Sequence, residues 1–209
     1  MTDEQPQIPL FAYPPIGPRL TIKDISNAIA AGGVPYPTAN ARAKIYAKPK
    51  EDGSTLIYVR ETGRATQPNI YEFSDAGAAV VLSALQDAGI QDHEVLRAAS
   101  MSLYGWSAKG DLRDGKYVEP GQVHKPRHPI DRAVIGVGFK GESWQFLVNI
   151  WRDAQTGERI VDCDLVQFGD PFIGHQNVPT TAIAQVGIVV MLDSALFPVA
   201  RRLLPETRN

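Results

Sequence analysis

The chain has 209 residues, an apolar content of 44% and a formal net charge of -2. This length fits one large domain or two small ones, and the composition allows a packed core. The near-neutral total excludes a uniformly basic, polyanion-binding chain. The single cysteine, Cys163, excludes an intramolecular disulfide and suits the reducing cytoplasm. Met1–Ile8 has no secretory apolar region, and the longest apolar run, Ala182–Leu192, is too short to span a bilayer, so we expect no membrane association.

The charge is unevenly distributed along the chain. Residues 18–66 hold eight basic and four acidic residues, a local net charge of +4. Residues 67–105 hold one basic and five acidic residues, a local net charge of -4. A local basic surface matters more for phosphate contact than the average charge does.

The N-terminal part predicts an arm and then a helix. Residues 1–18 contain five prolines, which lack backbone donors and fix φ, so we predict an extended arm. Thr21 can cap a helix together with Asp24, three residues further on, as in a capping box. Gly32 and Gly33 then end that helix.

A second helix follows. Pro37 or Thr38 can open it, and it reaches about Ala47, with Pro49 as the stop. Three residues are assigned to its inner face: Ala39, Ala43 and Tyr46. Three polar residues are expected to point outward: Asn40, Arg42 and Lys44.

The next two segments predict a β-hairpin. Thr55–Arg60 and Asn69–Phe73 are rich in β-branched and aromatic residues, and Gly63 provides a turn between them. Ser74 is then expected to cap a third helix that ends at Gly89, and Asp92 to open a fourth. A winged helix-turn-helix has this order of elements: two helices, a hairpin and two further helices.

Residues 105–129 predict a linker, because glycine, proline and charged residues interrupt every periodic pattern there. The remainder, residues 130–209, is expected to form a small mixed α+β domain. Its elements are four strands and a short final helix capped by Ser194: Ala133–Phe139, Trp144–Trp151, Arg159–Phe168, Ile183–Met191 and the helix through Leu204. A turn at Asp153–Gly157 joins the second and third strands.

The coincidence of basic charge with the second helix and the hairpin points to DNA. Arg42 could make a bidentate contact to guanine and Asn40 one to adenine. Phosphate contacts are expected from three lysines: Lys44, Lys48 and Lys50. Arg60 and Arg64 flank the glycine turn, from which a wing tip can reach the DNA backbone or a minor groove.

Three segments resemble the MerR-type winged-helix family. They are Tyr71–Asp75 with its Ser-Asp step, Leu85–Ile90 with its Leu-x-x-x-Gly-hydrophobic turn, and Asp92–Leu96. The resemblance covers roughly residues 19–100. It implies a recognition helix carrying Thr38, Asn40, Arg42 and Lys44, and a wing carrying Arg60 and Arg64. The long dimerising coiled coil usual in that family does not follow Leu103.

Other chemistry is weakly indicated. Gly136–Gly141 fits a dinucleotide-binding G-x-G-x-x-G pattern, but a strand pattern follows where a helix is needed, so we predict a hairpin turn. The histidines are scattered and predict surface positions rather than a metal site. Asp162, Asp164 and Asp170 could bind Mg²⁺, although a solvated strand face explains the first two equally well.

The sequence therefore predicts an α+β chain of four segments: an arm (1–18), a winged helix-turn-helix (19–104), a linker (105–129) and an α+β interaction or dimerisation domain (130–209). The predicted function is a cytoplasmic, nucleoid-associated transcription regulator that binds double-stranded DNA, without enzymatic activity, metal or cofactor. Residues 130–209 are expected to bind a second copy or the transcription machinery. A protein–protein adaptor that uses the same scaffold without DNA remains the alternative.

Overall fold

The computed structural model describes residues 18–60, 68–105, 111–113, 116–118, 128–169 and 178–203. Within these ranges the chain is mixed α+β, with six α-helices and a three-stranded antiparallel sheet, which confirms the predicted class. The helices are α1 (Ile22–Ala31), α2 (Tyr36–Ala47), α3 (Phe73–Asp87), α4 (His93–Tyr104), α5 (Pro129–Ile135) and α6 (Asp193–Leu203). The strands are β1 (Asp111–Arg113), β2 (Lys116–Val118), β3 (Trp144–Asp153), β4 (Arg159–Gln167) and β5 (Ala182–Met191). The predicted arm lies almost wholly outside the described residues.

The first two helices form as their caps predict. The Asp24 carboxylate accepts hydrogen bonds from the backbone N–H and the hydroxyl of Thr21, at 2.8 and 2.7 Å. α1 ends where Gly33 adopts a φ of 100°, which a residue with a side chain rarely adopts. α2 begins one residue earlier than predicted, with Pro37 in its first turn.

The predicted hairpin is wrong within the described residues. Thr55–Arg60 forms no strand, because its backbone bonds mostly elsewhere. The N–H groups of Leu56 and Ile57 donate to the carbonyl of Tyr46 at the end of α2, and the Leu56 carbonyl accepts from the Ser100 hydroxyl. One backbone bond joins the two segments, from Arg60 N–H to the Ile70 carbonyl at 2.9 Å.

The second half of that hairpin also differs from the prediction. Tyr71 pairs with Leu20 in an isolated antiparallel bridge, and Phe73 already belongs to α3. The cap is Glu72 rather than Ser74: the Asp75 carboxylate accepts from the Glu72 N–H at 2.7 Å, which closes a capping box. Asp92 caps α4 as expected, accepting from Glu94 N–H at 2.9 Å.

Helix α3 is the centre of the fold. It contacts α1, α2, α4, α5 and α6, and most of its fifteen residues are buried. Its small residues allow this close packing: a Cβ on Gly77 would lie 2.8 Å from Cγ1 of Ile130 in α5. A residue larger than glycine at position 77 would therefore push α5 away.

The predicted strand at Ala133–Phe139 is wrong. This stretch belongs to α5 and to a one-turn π-helix, Gly136–Lys140, that continues it. The helix begins where Pro129 occupies the first turn and the Asp131 carboxylate accepts from the His128 N–H at 3.2 Å. Of the β-branched residues that favoured a strand, Val134 and Val137 are buried in the core, and Ile135 is half-buried.

The remaining strands follow the predictions closely. The sheet has the order β4-β3-β5, with antiparallel pairing throughout. Its inner face carries the buried Phe146 and Val148 of β3, opposite Leu165 and Cys163 of β4. The linker region is not entirely without structure, because β1 and β2 pair as a short two-stranded sheet.

Both halves of the chain share one buried cluster. α6 packs on α1 and α3, and β4 packs on α4. Arg159 of β4 bonds the carboxylates of Asp92 and Glu94 at the start of α4, each at 2.7 Å. The division into separate domains at residues 105–129 stays a prediction, since the described residues on either side pack into a common core.

Two buried tyrosines make alkaline stability a test of this packing. Burial, the largest cause, raises the pKa of Tyr104 and of Tyr46 well above 10. In the unfolded chain both hydroxyls lose their protons near pH 10, whereas the fold retains them, so stability is present below pH 10 and is lost as pH rises above it. We expect the free energy of unfolding to fall by up to about 1.4 kcal/mol per pH unit for each tyrosine.

Denaturant titrations between pH 8 and 12 measure this loss. Tyr104→Phe should give a shallower decline above pH 10 than the wild type. Tyr36→Phe removes an exposed hydroxyl of α2 and is the matched control. Equal slopes for the wild type and Tyr104→Phe would contradict the assignment.

Candidate nucleic-acid interface

The sequence predicts that the outer side of α2 contacts DNA. α1 and α2 pack closely and are joined by four residues, 32–35. Three residues of α2 are completely buried and fix which side faces the core: Ala39, Ala43 and Tyr46. The predicted inner face of α2 is therefore confirmed.

Four of the predicted contact residues are exposed. Thr38 and Lys44 lie on the outer side of α2, and Lys48 and Lys50 follow at its C-terminal end. α2 contains no acidic residue. Its outer side therefore has only positive formal charge.

Arg42 does not point outward. Its guanidinium donates to the Ser83 hydroxyl at 2.7 Å and contacts the Asp87 carboxylate at 2.8 Å, both in α3. The side chain is 17% exposed. Asn40 is half-buried, and its amide oxygen accepts a 3.4 Å hydrogen bond from the Ser26 hydroxyl of α1. Arg42 therefore joins α2 to α3.

Arg60 is also engaged inside the protein. It contacts the carboxylates of Asp75, at 3.3 Å, and Glu72, at 3.4 Å, and is 17% exposed. Burial lowers the pKa of its guanidinium, but the two carboxylates outweigh this and hold it above its usual value. Arg60 is charged at any physiological pH, and that charge is balanced within the fold.

Asp75 is the centre of a buried polar network. The carboxylate is 0% exposed and accepts from the Tyr104 hydroxyl at 2.6 Å and from the N–H groups of Glu72 and Tyr58 at 2.7 and 3.3 Å. The Arg60 guanidinium lies over the Tyr58 and Tyr104 rings, 5.5 and 5.9 Å from their centroids. These contacts hold the loop before residue 61 against α3 and α4.

Arg64 lies outside the described residues, as does the rest of 61–67. A backbone bond from the Arg60 N–H to the Ile70 carbonyl joins described residues on either side of it. Acidic residues flank the C-terminal lysines of α2: Glu51 and Asp52 are exposed, and Asp52 pairs with Arg97 of α4 at 2.9 Å. Of the two cations within α2, Lys44 is exposed and Arg42 is paired with Asp87.

The other candidate chemistry is not assembled by the described residues, among which no group of three or more potential ligands could hold a metal ion. Asp164 is exposed and Asp162 half-buried on the outer face of β4, while Asp170 lies outside the described ranges. His128 was predicted at the surface but is buried, with Nδ1 2.8 Å from the Tyr104 carbonyl oxygen. No helix among the described residues is long and apolar enough to cross a bilayer.

The glycines of the G-x-G-x-x-G pattern have packing roles. A Cβ on Gly138 would overlap the Cβ of Ala200 in α6. A Cβ on Gly136 would overlap the Glu142 carboxylate and lie 2.7 Å from Nε1 of Trp144. The predicted hairpin turn is wrong here, because these residues form the π-helix.

Two exposed residues of the α2 outer side were missed by the sequence reasoning. Ala41 and Ile45 lie with Lys44 on the side opposite the buried positions. Helical spacing from Ala39 and Ala43 places them there, so the signal was available. Small and aliphatic side chains can contact thymine methyl groups in a major groove.

A scan against protein-family models gives no match, and searches of the curated proteins and of the solved structures give none either.

Proposed function

We propose that the protein is a DNA-binding transcription regulator acting in the cytoplasm at the nucleoid, with α2 as its recognition helix. The observation that carries the proposal is the outer side of α2, where Thr38 and Lys44 are exposed and no residue of the helix is acidic; Lys48 is exposed directly after it. A helix-turn-helix reads base edges with the N-terminal part of its second helix. Thr38 is at that end and can donate or accept a hydrogen bond.

The lysines have a separate role in this proposal. Lys44, Lys48 and Lys50 contact phosphates, which gives affinity without sequence information. Arg64, which lies outside the described residues, keeps the role that the sequence predicts for it, a contact to the DNA backbone or a minor groove. In this proposal Arg42 supports α2 and Arg60 supports the segment that it ends, both from within the protein, and neither touches DNA.

Salt dependence tests the lysine contacts. We expect Lys44→Ala and Lys48→Ala each to weaken binding to all sequences and to reduce the slope of log affinity against log salt by about 0.9, one phosphate contact apiece. Fluorescence polarisation on genomic fragments over a salt series measures both effects. The matched control is Lys140→Ala, which removes an exposed lysine at the far end of the π-helix.

Arg42→Ala should behave differently from the lysine variants. Because its partners lie in α3, its loss should lower the melting temperature and leave the salt slope unchanged. A wild type without salt-sensitive DNA binding would contradict the proposed function. An unchanged slope in both lysine variants would contradict the assigned interface.

A protein–protein adaptor is the second candidate, and one surface cluster favours it. Arg201 lies between two exposed rings, 5.7 Å from the Phe139 centroid and 5.3 Å from that of Phe197. Arginine and aromatic residues are enriched in interface hot spots. A partner retained at high salt after nuclease treatment, and lost in Phe197→Ala, would favour the adaptor over the DNA regulator.

A further inference from the structure

The two edges of the three-stranded sheet have opposite character. β4, on one edge, carries Arg159, Asp162 and Asp164. β5, on the other, has ten residues without a charge or a proline. Natural proteins protect free edges with charged residues, prolines and bulges. β4 has such charges, whereas β5 lacks both charge and proline.

β5 also exposes large apolar side chains. Ile183 is 63% exposed, Val189 58%, Met191 51% and Val186 45%. In the described part of the chain β3 is the strand that pairs with β5, and no strand pairs with its second side. That side presents backbone donors and acceptors suited to another strand.

A bulge limits the regular part of this edge. Ile150 lies opposite Val186 and Trp151 opposite Ala184, so Gln185 is an extra residue in β5. The segment Val186–Met191 beyond it is regular and about 20 Å long. We call this segment the β5 edge.

We propose that the β5 edges of two copies of this chain pair antiparallel about a two-fold axis, joining two three-stranded sheets into one of six strands. A two-fold axis normal to the sheet keeps each face on its own side. Val186, Ile188 and Val190 of the two copies then meet on the inner face, and Gly187, Val189 and Met191 on the outer face. Every resulting contact is between uncharged residues.

The charge pattern favours a second copy over other occupants. An uncharged strand matches itself, while a charged peptide would gain no ion pair along it. The chain's own residues 1–17 are a poor occupant, because their four prolines lack the N–H groups that a ladder requires. The inference goes beyond the proposed function and does not depend on DNA binding.

Molar mass in solution tests the dimer. We expect wild-type protein at twice the 22.8 kDa chain mass in light scattering across a concentration series. Val189→Lys should halve that mass, because it places like charges across the two-fold axis. Met101→Lys, at a 63% exposed apolar residue of α4, is the matched control and should leave the dimer intact. A monomeric wild type, or a dimeric Val189→Lys protein, would overturn the proposal.

Cross-linking keeps the proposal testable if Val189→Lys fails to fold. In a Cys163→Ala background, Ile188→Cys, Val189→Cys and Val190→Cys are oxidised separately. At least one should form an intermolecular disulfide, because residues near the axis approach their own copies. Asp164→Cys on β4 is the control: it should keep the non-covalent dimer but form no intermolecular disulfide. No cross-link among the three, or an equal one at Asp164→Cys, would overturn the proposal.

Discussion

Replacing Asp75 with alanine is expected to lower the free energy of unfolding by about 3–5 kcal/mol, the cost of removing one partner of a buried ion pair. The carboxylate is fully buried and satisfies Arg60, the Tyr104 hydroxyl and two backbone N–H groups at once. Its loss leaves a largely buried guanidinium with only Glu72 as an anionic partner among the contacts described above. Chemical denaturation of the two proteins measures the difference.

A double-mutant cycle separates the ion pair from the rest of the network. Arg60→Met alone removes the cation and preserves most of the side-chain volume. We expect the Arg60→Met/Asp75→Ala protein to be destabilised by less than the sum of the two single variants. Once Arg60 is replaced, loss of Asp75 no longer leaves a buried guanidinium without its main carboxylate partner. Additive losses would show that the carboxylate acts mainly through Tyr104 and the helix cap.

Gly138→Ala is expected to destabilise the protein by about 1–3 kcal/mol, the usual cost of overpacking. The new methyl group would occupy the position of the Ala200 Cβ. Both residues lie on helical elements, so the clash cannot be relieved by rotating a flexible side chain. Thermal and denaturant unfolding report the loss.

The compensating variant is available in the same contact. Ala200→Gly in the Gly138→Ala background removes the opposing methyl group and should recover part of the lost stability. The matched control is Gly157→Ala, in a turn where a Cβ meets nothing within 4 Å but φ is 73°, so its cost is conformational and should not respond to Ala200→Gly. A Gly138→Ala protein as stable as the wild type would contradict the packing.

Local sequence signals correctly predict those elements whose ends are set by their own capping residues. Thr21 with Asp24 and Asp92 with Glu94 mark helix starts that the structure contains. α5 was missed because its β-branched residues suit a strand, and burial against α3 and α6 decides their conformation. The predicted strand at Thr55–Arg60 is wrong for a related reason. Its backbone bonds the end of α2 and the side chains of Ser100 and Asp75, which lie far from it in the sequence.

The candidate site shows the same limit. Arg42 was predicted to face DNA, although it lies three residues after Ala39 and four before Tyr46 and so shares their side of the helix. Helical spacing alone could have placed it correctly. Arg60 could not have been placed this way, because its partner Asp75 is fifteen residues away and reaches it only through the folding of α3.

The central position of α3 has a consequence for the spacing of the proposed DNA contacts. Its C-terminal part holds α2 through Arg42, and its first turn holds the segment that ends at Arg60 through Asp75. One helix therefore sets the distance between α2 and the segment that ends at Arg60, which Arg64 follows in the chain. For the proposed DNA-binding function, this fixed distance predicts that base changes within the binding site are accepted more readily than inserted or deleted base pairs.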